Sequence, residues 1–471
     1  MSPLTRRDFL RTSVLAAAGS AGMMGHLSAA YVPGATEITP GNRPSQDKSI
    51  EVLYPRARVP LGFIIDDSNC LVNMGKFCMP QFRTAWPQNS SYLKPWRDWP
   101  SEIPDGFMRE FGEFCADQGV RGKFSLIPYP ACVGWLDREL PGWARKELQE
   151  SLQLIREVYC PNWDITPEMI THTRVIDLKT GRPVEEISSA TMENSYPPEK
   201  KSVDELAAYI AYALQILKNA GIPATGVTTP GGFGNKCKSE LSAAMGQALR
   251  DVFSLEIPFY FKYISDGKES TRPVLEHVEG LNGSNPTLTV NVPASTGDWF
   301  GNWDGDQIPA GDKYINEDGT EGRMAELIKA GEPAIMFGHW AGFYGNGSKN
   351  GFAHCKRVIT SINKHYADQT LWMKSSELAR YQAARELTKI ENSQNAITLT
   401  APFAAPSYTL RFDSPTGRPR QITHDGQSVA LTETRALRDL KPGNWIRVRD
   451  TVTTCFDLPK GKSVLEIQGD L

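Results

Sequence analysis

The chain has 471 residues, 40% of them apolar, enough to bury one large core and a smaller one. Its formal net charge is −3, and loss of residues 1–30 would take away Arg6, Arg7, Arg11 and Asp8, a net +2, leaving −5. That mild acidity argues against nucleic acid or an anionic membrane as partner. No segment has the roughly 20 strongly apolar residues that stable membrane insertion needs.

The N-terminal text reads as an export signal. In Thr5-Arg6-Arg7-Asp8-Phe9-Leu10 two adjacent arginines precede Phe-Leu, and a weakly apolar run over residues 13–19 follows, with small residues at Ser28-Ala29-Ala30 for cleavage. This is the pattern read by the twin-arginine translocon, the partner expected during export. The mature protein is therefore expected to be periplasmic or secreted, after removal of residues 1–30. Residues 31–57, polar and rich in Pro and Gly, are expected to form a linker or wrapping arm.

From residue 58 short apolar runs alternate with helical patterns. Strands are predicted at 59–65, 123–127, 224–228, 258–263, 287–292, 334–337 and 371–373. Helices are predicted over 107–115, 147–159, 202–220, 239–252, 321–330, 354–366 and 375–388. Ser202, with Glu205 three residues on, is a capping box. Such alternation over residues 58–390 predicts an α/β fold with parallel strands, closing as a distorted (β/α) barrel. No G-x-G-x-x-G turn follows the first strand, which disfavours a doubly wound sheet. Over 391–471 the period changes to two, as in Tyr408-Thr409-Leu410-Arg411-Phe412, and predicts a small all-β sandwich, packed on the barrel or serving as a sugar-binding module.

Eight cysteines with no C-x-x-C pair leave disulfide pairing open, and Cys115, in an apolar helical pattern, reads as a buried thiol. Of the eleven tryptophans, Trp86, Trp96, Trp99, Trp299, Trp303 and Trp340 stand in loop-like text, where an indole either stacks on a sugar ring or packs into the core.

Four stretches carry chemistry. Asp66 and Asp67 end the first strand, where adjacent carboxylates repel unless a cation or proton lies between them; one suits a metal ligand and the other a general base, or both serve a turn. Glu168 and His172 are four apart, sharing one face if helical, and are a donor pair for zinc or a similar ion. Thr229-Pro230-Gly231-Gly232 follows a strand and would let a substrate approach the backbone, or simply turn the chain. Ile335–Gly338 delivers His339 and Trp340 to a strand end, suiting a general acid beside a sugar platform, or a core histidine.

In this order the four stretches resemble the motifs of polysaccharide deacetylases, the NodB-homology domain of family 4 carbohydrate esterases, over residues 58–390. The resemblance implies a deacetylase-like barrel in which Asp66 is the base, Asp67 and His172 hold a divalent metal, zinc above all, and His339 is the acid. The family's second metal histidine, four residues after the first, is Ile176 here, and its arginine is Thr229, so Glu168 is a candidate to complete the metal site. Trp299, Trp303, Trp340, Pro230 and Gly231 would then contact a polysaccharide or oligosaccharide substrate. Two other functions remain open at this level. One is glycoside cleavage by Asp67 with Asp298 or Asp304 in the acidic, aromatic stretch 298–304. The other is sugar binding without catalysis.

Overall fold

The computed structural model describes residues 43–67, 70–281, 283 and 285–469, so the expected export signal, and the part of the arm before residue 43, lie outside the described residues. Strand β1 (Ile50–Leu53) precedes a set comprising β2 (Val59–Asp66), β3 (Gly122–Ser125), β4 (Trp163–Thr166), β5 (Gly226–Thr228), β6 (Phe259–Phe261), β7 (Val274–Glu279), β8 (Thr287–Asn291), β9 (Ala334–His339) and β10 (Thr370–Trp372). The longer helices between and after them are α1 (Met74–Ala85), α2 (Asp105–Asp117), α3 (Arg145–Leu154), α4 (Val203–Asn219), α5 (Lys238–Phe253), α6 (Arg323–Ala330), α7 (Asn350–Tyr366) and α8 (Ser375–Leu387).

The central parallel strands are buried along nearly their whole length because both faces are covered, even where they carry polar residues such as Lys123, Ser125, Asp164 and Thr166. β2 lies at the centre, buried from Pro60 onward. It pairs in parallel with β9 from Leu61↔Ala334 to Asp66↔His339, with β3 at Ile64↔Lys123, and with β10 at Val59↔Thr370. β4 continues this sheet beyond β3. A second sheet runs β5-β6-β8-β7, with β7 antiparallel to β8.

The barrel expected from strand–helix alternation is not a continuous ring of ladders. The two sheets meet through isolated parallel bridges, Ile165↔Ala224 and Glu168↔Thr228 on one side and Asp298↔Phe337 on the other. On the first side β5 is only three residues long, too short to carry a full ladder; on the other, the outer edge of β8 is already covered by antiparallel β7, and only the stretch after β8 reaches β9. The backbones of β2 and β3 approach closely at Gly122, where a Cβ would stand 1.9 Å from the Phe63 carbonyl oxygen.

The predicted helices form within a few residues of their expected ends. At α4, Ser202 Oγ accepts from Glu205 N at 3.3 Å and Glu205 Oε2 accepts from Ser202 N at 3.0 Å, the expected reciprocal cap. The sequence pattern did not give α1, β4 or β7. α1 contains Pro80 and has Gly75 in its first turn, which mask its period, and β4 is only four residues long.

Beyond α8 two five-stranded sheets form the sandwich, one built around Ala405–Asp413 and Thr451–Leu458, the other around Ala396–Ala401 and Gly461–Gln468. The arm wraps it: β1 adds an antiparallel edge strand, Ile50↔Phe412 to Leu53↔Thr409. Helix α8 joins the two halves, its Leu378, Ala383 and Leu387 sharing one core with Ile64 and Phe337 of the barrel and Leu399 and Leu410 of the sandwich. All eight cysteines are free, and Cys115 is buried as expected. Among the described residues no helix is long and apolar enough to cross a membrane.

Gly122→Ala is expected to destabilise the protein by about 3 kcal/mol in urea unfolding, since the clash is with backbone. Gly106→Ala, in α2 with open space around it, should instead stabilise by roughly 0.5–1 kcal/mol.

Candidate active site

The strand ends place a group of buried charges at one end of the barrel. Asp66 and His339 are register partners on β2 and β9. Lys123 of β3 is fully buried, and its Nζ donates to Asp66 Oδ1 at 2.5 Å, Thr228 Oγ1 at 2.6 Å and Ser125 Oγ at 3.1 Å. Ser125 Oγ also donates to Asp66 Oδ1 at 3.1 Å. Thr228 in turn bonds Thr166 of β4 at 2.9 Å. The ammonium thus balances one of the two adjacent aspartates and ties β2, β3, β4 and β5 together.

The second aspartate is balanced by an imidazole. Asp67 has a left-handed backbone, φ 62°, and its N–H donates to Glu168 Oε2 at 3.0 Å. His172 lies between the two carboxylates, Nε2 3.2 Å from Asp67 Oδ1 and Nδ1 3.3 Å from Glu168 Oε1. Burial pulls the imidazole pKa down, but Glu168 and Asp67 outweigh it and hold His172 up at about 9. Burial, with the nearby Asp66 charge, pushes Glu168 up to about 7.

Glu168 and His172 do not share a helix, contrary to the spacing argument. They stand on an irregular loop after β4 in which Met169 and His172 have φ of 54° and 63°. What shapes the loop is Glu193, a residue the sequence did not single out. Its carboxylate accepts from Ile170 N at 3.1 Å, Thr171 N at 3.0 Å, His172 N at 2.6 Å and the Tyr209 hydroxyl at 2.6 Å. Burial pushes Glu193 up to about 7.

Asp67, Glu168 and His172 each offer a ligand atom, all within 4.8 Å of one another and all buried. Two carboxylates and an imidazole are a donor set that fits zinc or a similar divalent ion, which would balance the two negative charges as the imidazolium does. Ile176 lies in a two-residue strand, buried, with its N–H on the Tyr209 hydroxyl at 3.1 Å. Glu168, not residue 176, therefore provides the third donor.

His339 is oriented from β9 by Asp298, whose Oδ2 is 2.7 Å from Nδ1. Burial works against the charged ring, but the Asp298 hydrogen bond and the Asp67 charge hold His339 up at about 10. The other Asp298 oxygen accepts from Phe300 N at 3.0 Å. Asp304 is engaged elsewhere, 2.6 Å from Lys94 Nζ. The carboxylates considered for glycoside cleavage are thus committed to a histidine and a lysine.

The expected sugar contacts need correction. Trp340 has no exposed surface and packs with ring centroids 4.9 Å from Phe111 and 5.7 Å from Phe124, so it is a core residue. Trp303 and Trp99 are buried as well, both against Gly75 of α1. Trp299 is half-buried beside Tyr314, centroids 4.8 Å apart. Pro230 is buried, and the glycines after it serve packing more than ligand approach, since a Cβ on Gly232 would stand 2.7 Å from the Asn194 carbonyl and one on Gly231 3.2 Å from Asn194 Nδ2. Lys262 holds this turn by donating to the Phe233 carbonyl at 2.5 Å. Loop 229–234 therefore backs the 193–196 segment that carries Glu193.

No protein-family model matches the sequence, and neither does any curated protein. Among solved structures the chain is similar to a provisionally assigned polysaccharide deacetylase from Mycobacterium smegmatis, at 13% identity over 74% of this chain and 98% of that one, TM-score 0.41. It is also similar to a family 4 carbohydrate esterase from Streptomyces lividans in complex with acetate, at 9% identity over 68% and 95%, TM-score 0.30. A third is the Thermotoga maritima α-fucosidase in complex with fucose, at 9% identity over 88% and 97%, TM-score 0.31. Likenesses this distant decide neither reaction nor substrate.

Glu193→Ala leaves three buried N–H groups without their acceptor and is expected to cost about 3 kcal/mol or more in thermal or urea unfolding. Tyr209→Phe removes one hydroxyl and should cost about 1–2 kcal/mol.

Proposed function

We propose that the chain is a carbohydrate deacetylase, removing acetyl groups from a polysaccharide or oligosaccharide by hydrolysis. The observation that carries this reading is the pairing of Asp66 with His339 on one rung of the sheet, beside the buried Asp67, Glu168 and His172. It supplies a base, an acid and a cation-binding donor set within one small region.

Asp66 is the general base. Lys123 and Ser125 hold Oδ1, which fixes the carboxylate plane while water gives up its proton to the group. The water oxygen attacks the acetyl carbon, and the bond from that carbon to the sugar oxygen or nitrogen breaks. His339, kept protonated at neutral pH and oriented through Nδ1 by Asp298, gives its proton to the departing atom. Acetate and a free hydroxyl or amine result. A divalent ion bound by Asp67, Glu168 and His172 would supply Lewis-acid polarisation of the acetyl carbonyl. Half-buried Trp299, which follows Asp298 directly in the chain, is the tryptophan we assign to meet a sugar ring. The twin-arginine pattern at residues 5–10 supports action outside the cytoplasm, on a glycan met there.

Elemental analysis of the purified protein is expected to find about one divalent ion per chain, zinc above all, reduced sharply in Asp67→Asn and His172→Ala. Acetate release from acetylated glycans should fall about 100-fold or more in His339→Asn and in Asp66→Asn, with the metal retained. Release of reducing ends without acetate would reject deacetylation, and full activity in a metal-stripped protein would reject the role given to the ion. Asp298→Asn should lower kcat rather than raise KM, because it disorients the acid without touching the bound sugar.

A further inference from the structure

A second charged recess lies at the opposite ends of the strands, where the barrel meets the sandwich. Arg56 stands just before β2, Arg121 just before β3 and Arg380 on α8, and together with Trp372, Tyr381 and Ser407 they line a cavity of about 220 Å³. Three arginines face a single lining carboxylate, Glu377. Glu377 is shared already: Oε1 lies 2.9 Å from Arg121 Nη2 while Oε2 caps α8 by accepting from Lys374 N at 2.9 Å. Arg380 is bound through Nη1 to Glu256 at 2.8 Å. The Arg56 side chain has no carboxylate partner among the described residues, and its backbone N donates to Thr409 Oγ1 at 2.9 Å.

The Nε groups of both Arg56 and Arg121 are buried without an acceptor. A buried guanidinium donor left unbonded costs more than a neutral one, and a planar fork of N–H groups matches the oxygens of a tetrahedral anion. The cavity is below the roughly 300–1,000 Å³ typical of sites for larger ligands. Its walls come from both halves of the protein, Ser407 from the sandwich and the arginines from the barrel and α8.

We propose that this cavity binds a small tetrahedral oxyanion, phosphate or sulfate, which braces the sandwich against the barrel. The site is separate from the proposed deacetylase chemistry, and neither depends on the other.

The test uses the full chain after EDTA treatment, titrated with sodium phosphate, sodium sulfate and sodium acetate against sodium chloride of matched ionic strength. Calorimetry and thermal unfolding should show saturable binding and a rising Tm with phosphate and sulfate and none with chloride. Arg56→Gln and Arg121→Gln should each weaken binding about ten-fold. Lack of a saturable response in the wild-type protein overturns the proposal, as does an undiminished response in the double variant. An equal response to acetate overturns the tetrahedral assignment. Should the variants not fold, amide exchange of the wild-type chain decides: phosphate must slow exchange around residues 55–57 and 405–409, and unchanged exchange there overturns the site.

Discussion

The buried contact between Lys123 and Asp66 is the constraint around which the barrel end is arranged. Two carboxylates adjacent in sequence cannot both leave water uncompensated. Here each has its own counter-charge from a different strand or loop, Lys123 for Asp66 and His172 for Asp67. The lysine also satisfies Thr228 across the seam between the two sheets. Removing that ammonium would leave a buried anion and loosen the seam in one step, so the charge balance and the architecture rest on the same atom. A buried pair of this kind adds little net stability compared with apolar packing, and its contribution is to fix geometry.

Around that contact the support is layered. Glu193 shapes the loop that presents Glu168 and His172, using backbone N–H groups that no helix or sheet employs. Segment 193–196 is itself packed by the close-set glycines of 229–234, and Lys262 pins that turn through a carbonyl. His339 has an independent support in Asp298. The two halves of the candidate site are thus positioned separately, one from the loops after β4 and one from the stretch after β8. Glu193, engaged by three backbone N–H groups and the Tyr209 hydroxyl, holds its loop in a single arrangement, which suits a site whose donors must stay close together.

The same division explains why the sandwich matters to the barrel. Side chains of β2 and β9 reach through the sheet into a core shared with α8 and the sandwich strands. β1, from the arm ahead of the barrel, closes the edge of one sandwich sheet, and Tyr381 on α8 bonds both Leu53 O and Thr409 N. The rear of the strands that carry Asp66 and His339 is therefore held by a second domain.

The sequence by itself determined the alternation of strands and helices, the change to period two after the barrel, and the strand-end positions of Asp66, Asp67 and His339. These follow from local pattern, since an apolar run ending in polar residues marks a buried strand wherever it folds. Lys123 stands inside the strand text at 123–127, but burial of its charge becomes meaningful only beside Asp66. Glu193 stands in loop text, and its partners, three backbone N–H groups and the Tyr209 hydroxyl, come together only in the fold; Lys262, like Lys123 a lysine inside strand text, finds its acceptor in the carbonyl of a distant turn. Tertiary structure alone decided that Glu168 and His172 meet through a loop, that Trp340 is core, and that the barrel seams are single bridges. Each depends on what packs opposite, a matter of which atoms exclude water from which, and no spacing along the chain encodes it.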